Sequence, residues 1–224
     1  MKTLPSVLAS ACLIAFASVS LAQTSQPAQP AAKPAAAATE TQGLSPDDLV
    51  KKVTTEVLES IKSDKRLAAG DRNKALQLAE EKILPHVDFK EAARLAVGRA
   101  WGQATPEQQE KLTASFRQML VRSYSNALES YKGQTVRVLP SRAPPNADQA
   151  TVRNQYIRAG GPPVMLEYAM RKTPEGWKIY DITVEGISLV LTYRGQFDQV
   201  VRQSGIDGLI KAMNEKNTPA IKPS

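Results

Sequence analysis

The chain has 224 residues, with 29 Lys and Arg against 22 Asp and Glu, one His and one Cys. A lone cysteine excludes an internal disulfide, and one histidine among scattered acids gives no metal-ligand spacing. The basic residues are dispersed, with no stripe interleaved with aromatics, which argues against nucleic acid.

The amino terminus reads as an export signal. Lys2 precedes an uncharged, mostly apolar stretch from Leu4 to Leu21, and Ser20-Leu21-Ala22 puts small residues where a signal peptidase reads. The competing reading is an uncleaved anchor, but Pro5 and four serines dilute a stretch barely long enough to span. Cys12 follows Ala9-Ser10-Ala11 as in a lipoprotein, yet apolar sequence continues to Leu21, so Cys12 falls inside the signal. Residues 1–22 are therefore expected to be a signal peptide cleaved after Ala22, with the periplasm as destination. Loss of Lys2 takes 29 basic residues to 28 against 22 acids, a net of +6. That excess suits an anionic lipid surface, an acidic partner or an ordinary solvated surface. Residues 23–43 are Ala, Pro, Gln and Thr, expected as a disordered leader. A single folded domain is expected over 44–217, then a flexible tail over 218–224.

Ser45-Pro46-Asp47-Asp48 reads as a helix start, with Leu49, Val53, Val57 and Ile61 as one apolar stripe. A second helix is expected over 71–84 and stopped by Pro85. A third spans about 88–101. Thr105-Pro106-Glu107-Gln108 is a capping box opening the longest helix, to about Lys132, with Leu112, Phe116, Met119, Leu120, Tyr124, Leu128 and Tyr131 inward. Gly133 suits its C-cap. The period then becomes two. Strands are expected over 135–139, 149–158, 164–172 and 177–184, with Pro144-Pro145-Asn146, Gly160-Gly161-Pro162 and Pro174-Glu175-Gly176 as turns. Val164, Leu166, Tyr168 and Met170 share one face; Tyr180, Ile182 and Val184 share another. After Gly195 a helix runs to Gly205, and Asp207 caps a last one. The expected class is α+β: N-terminal helices and two C-terminal helices packed on a twisted four-stranded antiparallel sheet. The long aromatic helix is the natural cover for the sheet.

Catalytic chemistry finds little support. His86, next to Pro85, has no serine in a nucleophile-elbow pattern to serve. Glu80 and Glu81 point about 100° apart on a helix. Asp181, beside Tyr180, reads as a satisfied polar site. There is no phosphate-cradling glycine loop. No enzyme and no cofactor are expected.

One ordered pattern carries more. Ile83-Leu84-Pro85, Asp88-Phe89, Gly98 and Trp101 are followed by Thr105, Pro106, Gln109, Phe116, Leu120, Tyr124, Leu128 and Tyr131. Near the other end stand Trp177, Tyr180-Asp181, Glu185-Gly186-Ile187-Ser188-Leu189, Tyr193-Arg194, Phe197 and Gly205-Ile206-Asp207-Gly208-Leu209. This resembles the MlaC, or toluene-tolerance, family over about Leu44 to Lys216. Leu112 departs from an often aromatic position, and the leader is long.

The resemblance implies a periplasmic phospholipid carrier that maintains outer-membrane lipid asymmetry. It implies two partners besides phospholipid: an outer-membrane lipoprotein–porin complex and an inner-membrane ABC transporter with an MCE-domain ring. It implies no catalytic residue, and a monomer is expected. The acyl chains would lie in an apolar pocket between helices and sheet. Its expected lining is Phe116, Leu120, Tyr124, Leu128, Val164, Leu166, Tyr168, Met170, Ile182 and Val184, with Ile187 and Leu189 at the rim. Plain core packing is the competing reading for each. Arg194 either approaches a head-group phosphate or pairs with an acid. The Glu185–Ser188 segment is expected to fix a bend. The alternatives are a carrier of a hopanoid-type lipid or solvent, a pocketless envelope adaptor, and, third, a lipase using His86.

Overall fold

The computed structural model describes residues 41, 43–124, 135–140, 146–157 and 161–215. The expected signal and tail, the leader apart from residues 41 and 43, the positions Leu128, Tyr131 and Gly133, and the Pro144-Pro145 and Gly160 turn residues lie outside them.

Helix α1 (Pro46–Ser63) begins where its sequence dictates. The Ser45 hydroxyl accepts the Asp48 N–H at 3.1 Å, and Pro46, Asp47 and Asp48 fill the first turn. Its stripe buries Leu49, Val50, Val57 and Ile61. A short helix not anticipated from sequence, α2 (Lys65–Ala68), is capped by Asp64. Asp71 caps α3 (Arg72–Lys82), and a 3₁₀ turn spans Leu84–His86. Asp88 caps α4 (Phe89–Val97), which ends at Gly98 with φ 64° and passes into a 3₁₀ segment, Gly98–Gln103. The capping box opens α5 (Pro106–Tyr124): the Gln108 N–H donates to Thr105 Oγ1 at 3.2 Å, and the Thr105 N–H to Gln108 Oε1 at 3.0 Å.

The sheet is antiparallel in chain order: β1 (Thr135–Leu139), β2 (Gln149–Ile157), β3 (Val164–Thr173), β4 (Gly176–Val184) and β5 (Ile187–Ser188). Among the described residues it has five strands, not four, because Glu185 (φ 49°) and Gly186 (φ 82°) turn the chain back so that Ile187 pairs with Val184. Helix α6 (Leu189–Asn214) starts at once, capped by Ser188, instead of after Gly195. Within it the backbone leaves helical geometry at Gly205 (φ 69°, ψ −172°), so the two expected C-terminal helices part where expected.

The register contains one irregularity. Leu166 faces Val184 and Tyr168 faces Ile182, but Met170 faces Ile179, so Tyr180 is an extra residue at a bulge. The bulge changes which β4 side chains share a face. Ile179 and Trp177 join Tyr168 and Met170, while Tyr180 leaves the face it was expected to share with Ile182 and Val184.

Among the described residues three apolar clusters hold the fold. The largest joins α4, α5 and α6 through Ala93, Ala96, Leu112, Phe116, Met119, Tyr193, Phe197, Leu209 and Met213. Phe116 meets Tyr193 and Phe197 edge-on, with centroids 5.4 and 5.6 Å apart. A second joins α1, α2 and α3. The third lays Leu49 and Val50 of α1 on Val152 and Met170 of the sheet. The described part of the aromatic helix is thus committed to other helices, and α1 covers one end of the sheet instead. The reason is steric demand: Phe116 and Met119 already fill the seam against Tyr193 and Phe197.

Candidate functional site

Cross-strand pairing gathers an apolar face. Val138 faces Asn154, and Val136 faces Tyr156. Val152 faces Tyr168, Asn154 faces Leu166, and Tyr156 faces Val164. Leu166 and Tyr168 then meet Val184 and Ile182. Paired residues share a face of an antiparallel sheet, so these side chains form one continuous row.

The row is unevenly covered. Val152 and Met170 are fully buried beneath Leu49 and Val50 of α1. Toward the far end, Val164, Leu166, Ile182 and Val184 are only half-buried. At the edge, Ile187 and Leu191 are 62% and 61% exposed, the large apolar residues most open to water among those described. An apolar row that ordinary packing has not closed is unusual, since burying each such side chain is worth roughly 1.5–3 kcal/mol.

The corner beside this row is tightly built. Asp181 Oδ1 accepts the Ile182 N–H at 2.8 Å and the Val190 N–H at 3.0 Å. The Glu185 carboxylate accepts the Met165 N–H, while the Glu185 N–H donates to the Met165 carbonyl at 3.0 Å. These bonds pin the bend of the Glu185–Ser188 segment and so fix Ile187 and Leu191 outward.

The expected lining residues divide into groups. Val164, Leu166, Tyr168, Ile182 and Val184 stand together on the sheet face. Leu120, Tyr124 and Leu189 pack against the helical cluster, and Phe116 lies inside it with no exposure. Burial pushes the Tyr124 phenol up, helped by the neighbouring Tyr193 hydroxyl. Met170 belongs to the covered end. Arg194 is exposed and lies over Gly98, where a Cβ would stand 3.0 Å from its Nε.

Sequence reasoning missed Asn154. It is 0% exposed, and neither side-chain amide atom has a hydrogen-bond partner. An unpaired buried amide costs about 1–3 kcal/mol. The Tyr168 hydroxyl lies beside it: burial raises that phenol and the Asn154 amide opposes the rise. The contact falls outside normal hydrogen-bond geometry. The signal was a polar residue at the inward position of an alternating strand, between Val152 and Tyr156.

A recess of about 410 Å³ lies between α4 and the sheet and is lined by Glu91, Arg94, Leu95, Asp148, Gln149, Arg171, Lys172 and Tyr180. Three of its charges engage one another: Glu91 pairs with Arg94 at 2.7 Å and with Arg171 at 3.2 Å. Arg94 and Arg171 together hold the Glu91 carboxyl below its ordinary range. His86 is buried, and that burial lowers its pKa. Among the described residues no group of acids, histidines and cysteines is placed to hold a metal ion. No helix among them is long and apolar enough to cross a membrane.

By architecture this is an α+β protein in which helices partly cover an open five-stranded antiparallel sheet. The MlaC protein family model matches residues 51–215, and the chain belongs to that family. It is 23% identical over 180 residues to the intermembrane phospholipid transport system binding protein MlaC of Haemophilus influenzae, covering 79% of this chain and 84% of that protein. It is 26% identical over 163 residues to the toluene tolerance protein ttg2D of Pseudomonas putida, covering 72% and 75%. Among solved structures, the phospholipid-binding protein from Ralstonia solanacearum, determined in complex with a phospholipid, superposes with a TM-score of 0.72 at 38% identity. That match spans 80% of this chain and all of the other.

Proposed function

We propose that this protein is a periplasmic phospholipid carrier that moves lipid between the two membranes of a Gram-negative envelope. The observation that carries this reading is the half-covered apolar row of Val164, Leu166, Ile182 and Val184, in a chain 38% identical to a protein solved with a phospholipid. A buried methylene is worth roughly 0.8 kcal/mol, so a long acyl chain resists water by on the order of 10 kcal/mol. A carrier offsets that resistance by giving the chain an apolar surface. Val164, Leu166, Tyr168, Ile182 and Val184 take the acyl chains, with Leu120, Tyr124 and Leu189 on the helical side and Ile187 at the rim.

The same energy makes release slow. A partner that binds the opened carrier better than the closed one supplies the difference. We assign that role to an outer-membrane lipoprotein–porin complex and to an inner-membrane ABC transporter carrying an MCE-domain ring. The carrier itself performs no bond-making step.

The test is mass spectrometry of an organic extract of the purified protein, with a native mass alongside. Stoichiometric phospholipid is expected. A different lipid would move the chain to another cargo. An empty protein that also fails to take up added phospholipid would overturn the carrier reading.

A further inference from the structure

Among the described residues, only Asn154 is fully buried with both side-chain polar atoms unpartnered. Its strand neighbours hold it in place: Val138 stands opposite on β1 and Leu166 opposite on β3. It lies where the row passes from the end packed by α1 to the half-covered end, beside the Tyr168 hydroxyl. An amide there has no packing advantage over a leucine, so its polar atoms demand a partner.

We infer that Asn154 and Tyr168 form a polar subsite that recognises the ester carbonyl of an acyl chain, an inference that rests on the phospholipid reading above. The choice of group follows from hydrogen-bond accounting. A phenol donates one proton, and an amide accepts through Oδ1 and donates two through Nδ2. Neither Oδ1 nor Nδ2 of Asn154 has a partner, and the two Nδ2 protons, with the Tyr168 O–H beside them, need an acceptor. The phosphate of a phospholipid is an acceptor but is charged, and a charge placed in this apolar row lacks a counterion. The hydrocarbon tail offers no acceptor. The ester carbonyl is neutral and accepts without donating, which is what remains. Because Asn154 is fully enclosed, a chain that reaches it parts the sheet from what lies over it, so the bond forms on loading. A hydrocarbon lacking a carbonyl leaves the amide unpaired and is disfavoured, so the subsite separates acyl lipids from apolar molecules of similar size.

The test is a competition. The full chain is mixed with equal amounts of a diacyl phosphatidylcholine and its dialkyl-ether analogue, alike in head group and chain length. The protein is repurified and its bound lipid weighed by mass spectrometry. The wild type is expected to hold the diester in roughly tenfold preference, and Asn154→Leu to hold the two equally. A wild type without preference, or an Asn154→Leu protein that keeps it, would overturn the subsite while leaving the carrier reading intact. A protein that holds neither lipid would overturn the carrier reading, and the subsite with it. Should Asn154→Leu not fold, the infrared carbonyl band of a carbonyl-labelled diester on the wild type decides: a shift to lower wavenumber is expected, and an unshifted band would refute the bond.

Discussion

The carboxylate of Asp181, on β4, accepts a 2.5 Å hydrogen bond from the hydroxyl of Ser188, which itself caps α6 by accepting the Leu191 N–H at 3.0 Å. Two residues seven apart thus tie the last long strand to the start of the last helix. The first prediction follows from what each removal strands. Ser188→Ala loses a cap and is expected to cost about 1–2 kcal/mol. Asp181→Ala leaves the Val190 N–H and the Ser188 hydroxyl without their acceptor and is expected to cost about 2–3 kcal/mol. Because the two share one network, the double variant should lose less than the sum. Urea unfolding of the three proteins checks this, and full additivity would mean the residues act apart.

Gly98 supplies a second prediction. It sits at φ 64°, ψ −130°, where a side chain is strained, and a Cβ there would stand 3.0 Å from Arg194 Nε. Gly98→Ala should lose roughly 1–3 kcal/mol from the backbone and more from the contact. Adding Arg194→Ala should recover only the contact share. Thermal melts separate the two parts: recovery to wild-type stability would show that the backbone is unstrained.

Much of the fold was legible because local rules set it. Ser45, Asp71, Asp88 and Thr105 each cap a helix from positions that a capping pattern identifies. The alternation of Val164, Leu166, Tyr168 and Met170 places them on one face as expected. What the sequence hid depends on distant partners. The bulge at Tyr180 shifts parity without any local signal, since Ile179, Tyr180 and Ile182 are all suited to a strand. Which helix covers the sheet was hidden for the same reason. Phe116 is as apolar as any pocket residue, and only its rings against Tyr193 and Phe197 show it committed to the helices. Asn154 was passed over because alternation draws the eye to apolar positions. Its isolation is a property of the assembled face.

The single histidine makes a pH prediction separable from the carboxylates. Burial, reinforced by Lys178, Lys52 and Lys82 and opposed by Glu56, lowers the His86 pKa from 6.5. The neutral form is therefore favoured in the folded chain, and below pH 6.5 the unfolded chain binds the extra proton. Stability is expected to fall as pH drops from 6.5 toward the folded value, by up to about 1.4 kcal/mol per pH unit. Glu56 and Glu91 also have lowered values, but their ordinary pKa is 4.5, so their loss begins nearer that pH. Urea unfolding between pH 6.5 and 5.5 should show a slope in the wild type and none in His86→Gln. A flat wild-type profile would mean that His86 titrates normally.

The proposed acyl surface can be attacked without breaking the core. Leu166 is half-buried, opposite Val184 on one side and Asn154 on the other. A carboxylate at this position can reach water from the open side, so Leu166→Asp should cost only about 1–3 kcal/mol of stability, the range of most point changes. Its effect on cargo should be far larger. An acyl chain laid along the row would bury that charge without a counterion, a penalty of several kcal/mol even after relaxation. The variant is therefore expected to fold, by circular dichroism, and to purify with no phospholipid in its organic extract. Phe116→Ala is the informative contrast. It opens the helical cluster at a cost of about 3–5 kcal/mol, yet it leaves the sheet face untouched, so whatever protein folds should still carry lipid. If Leu166→Asp kept its lipid while Phe116→Ala lost it, the acyl chains would run through the helical cluster and not along the sheet.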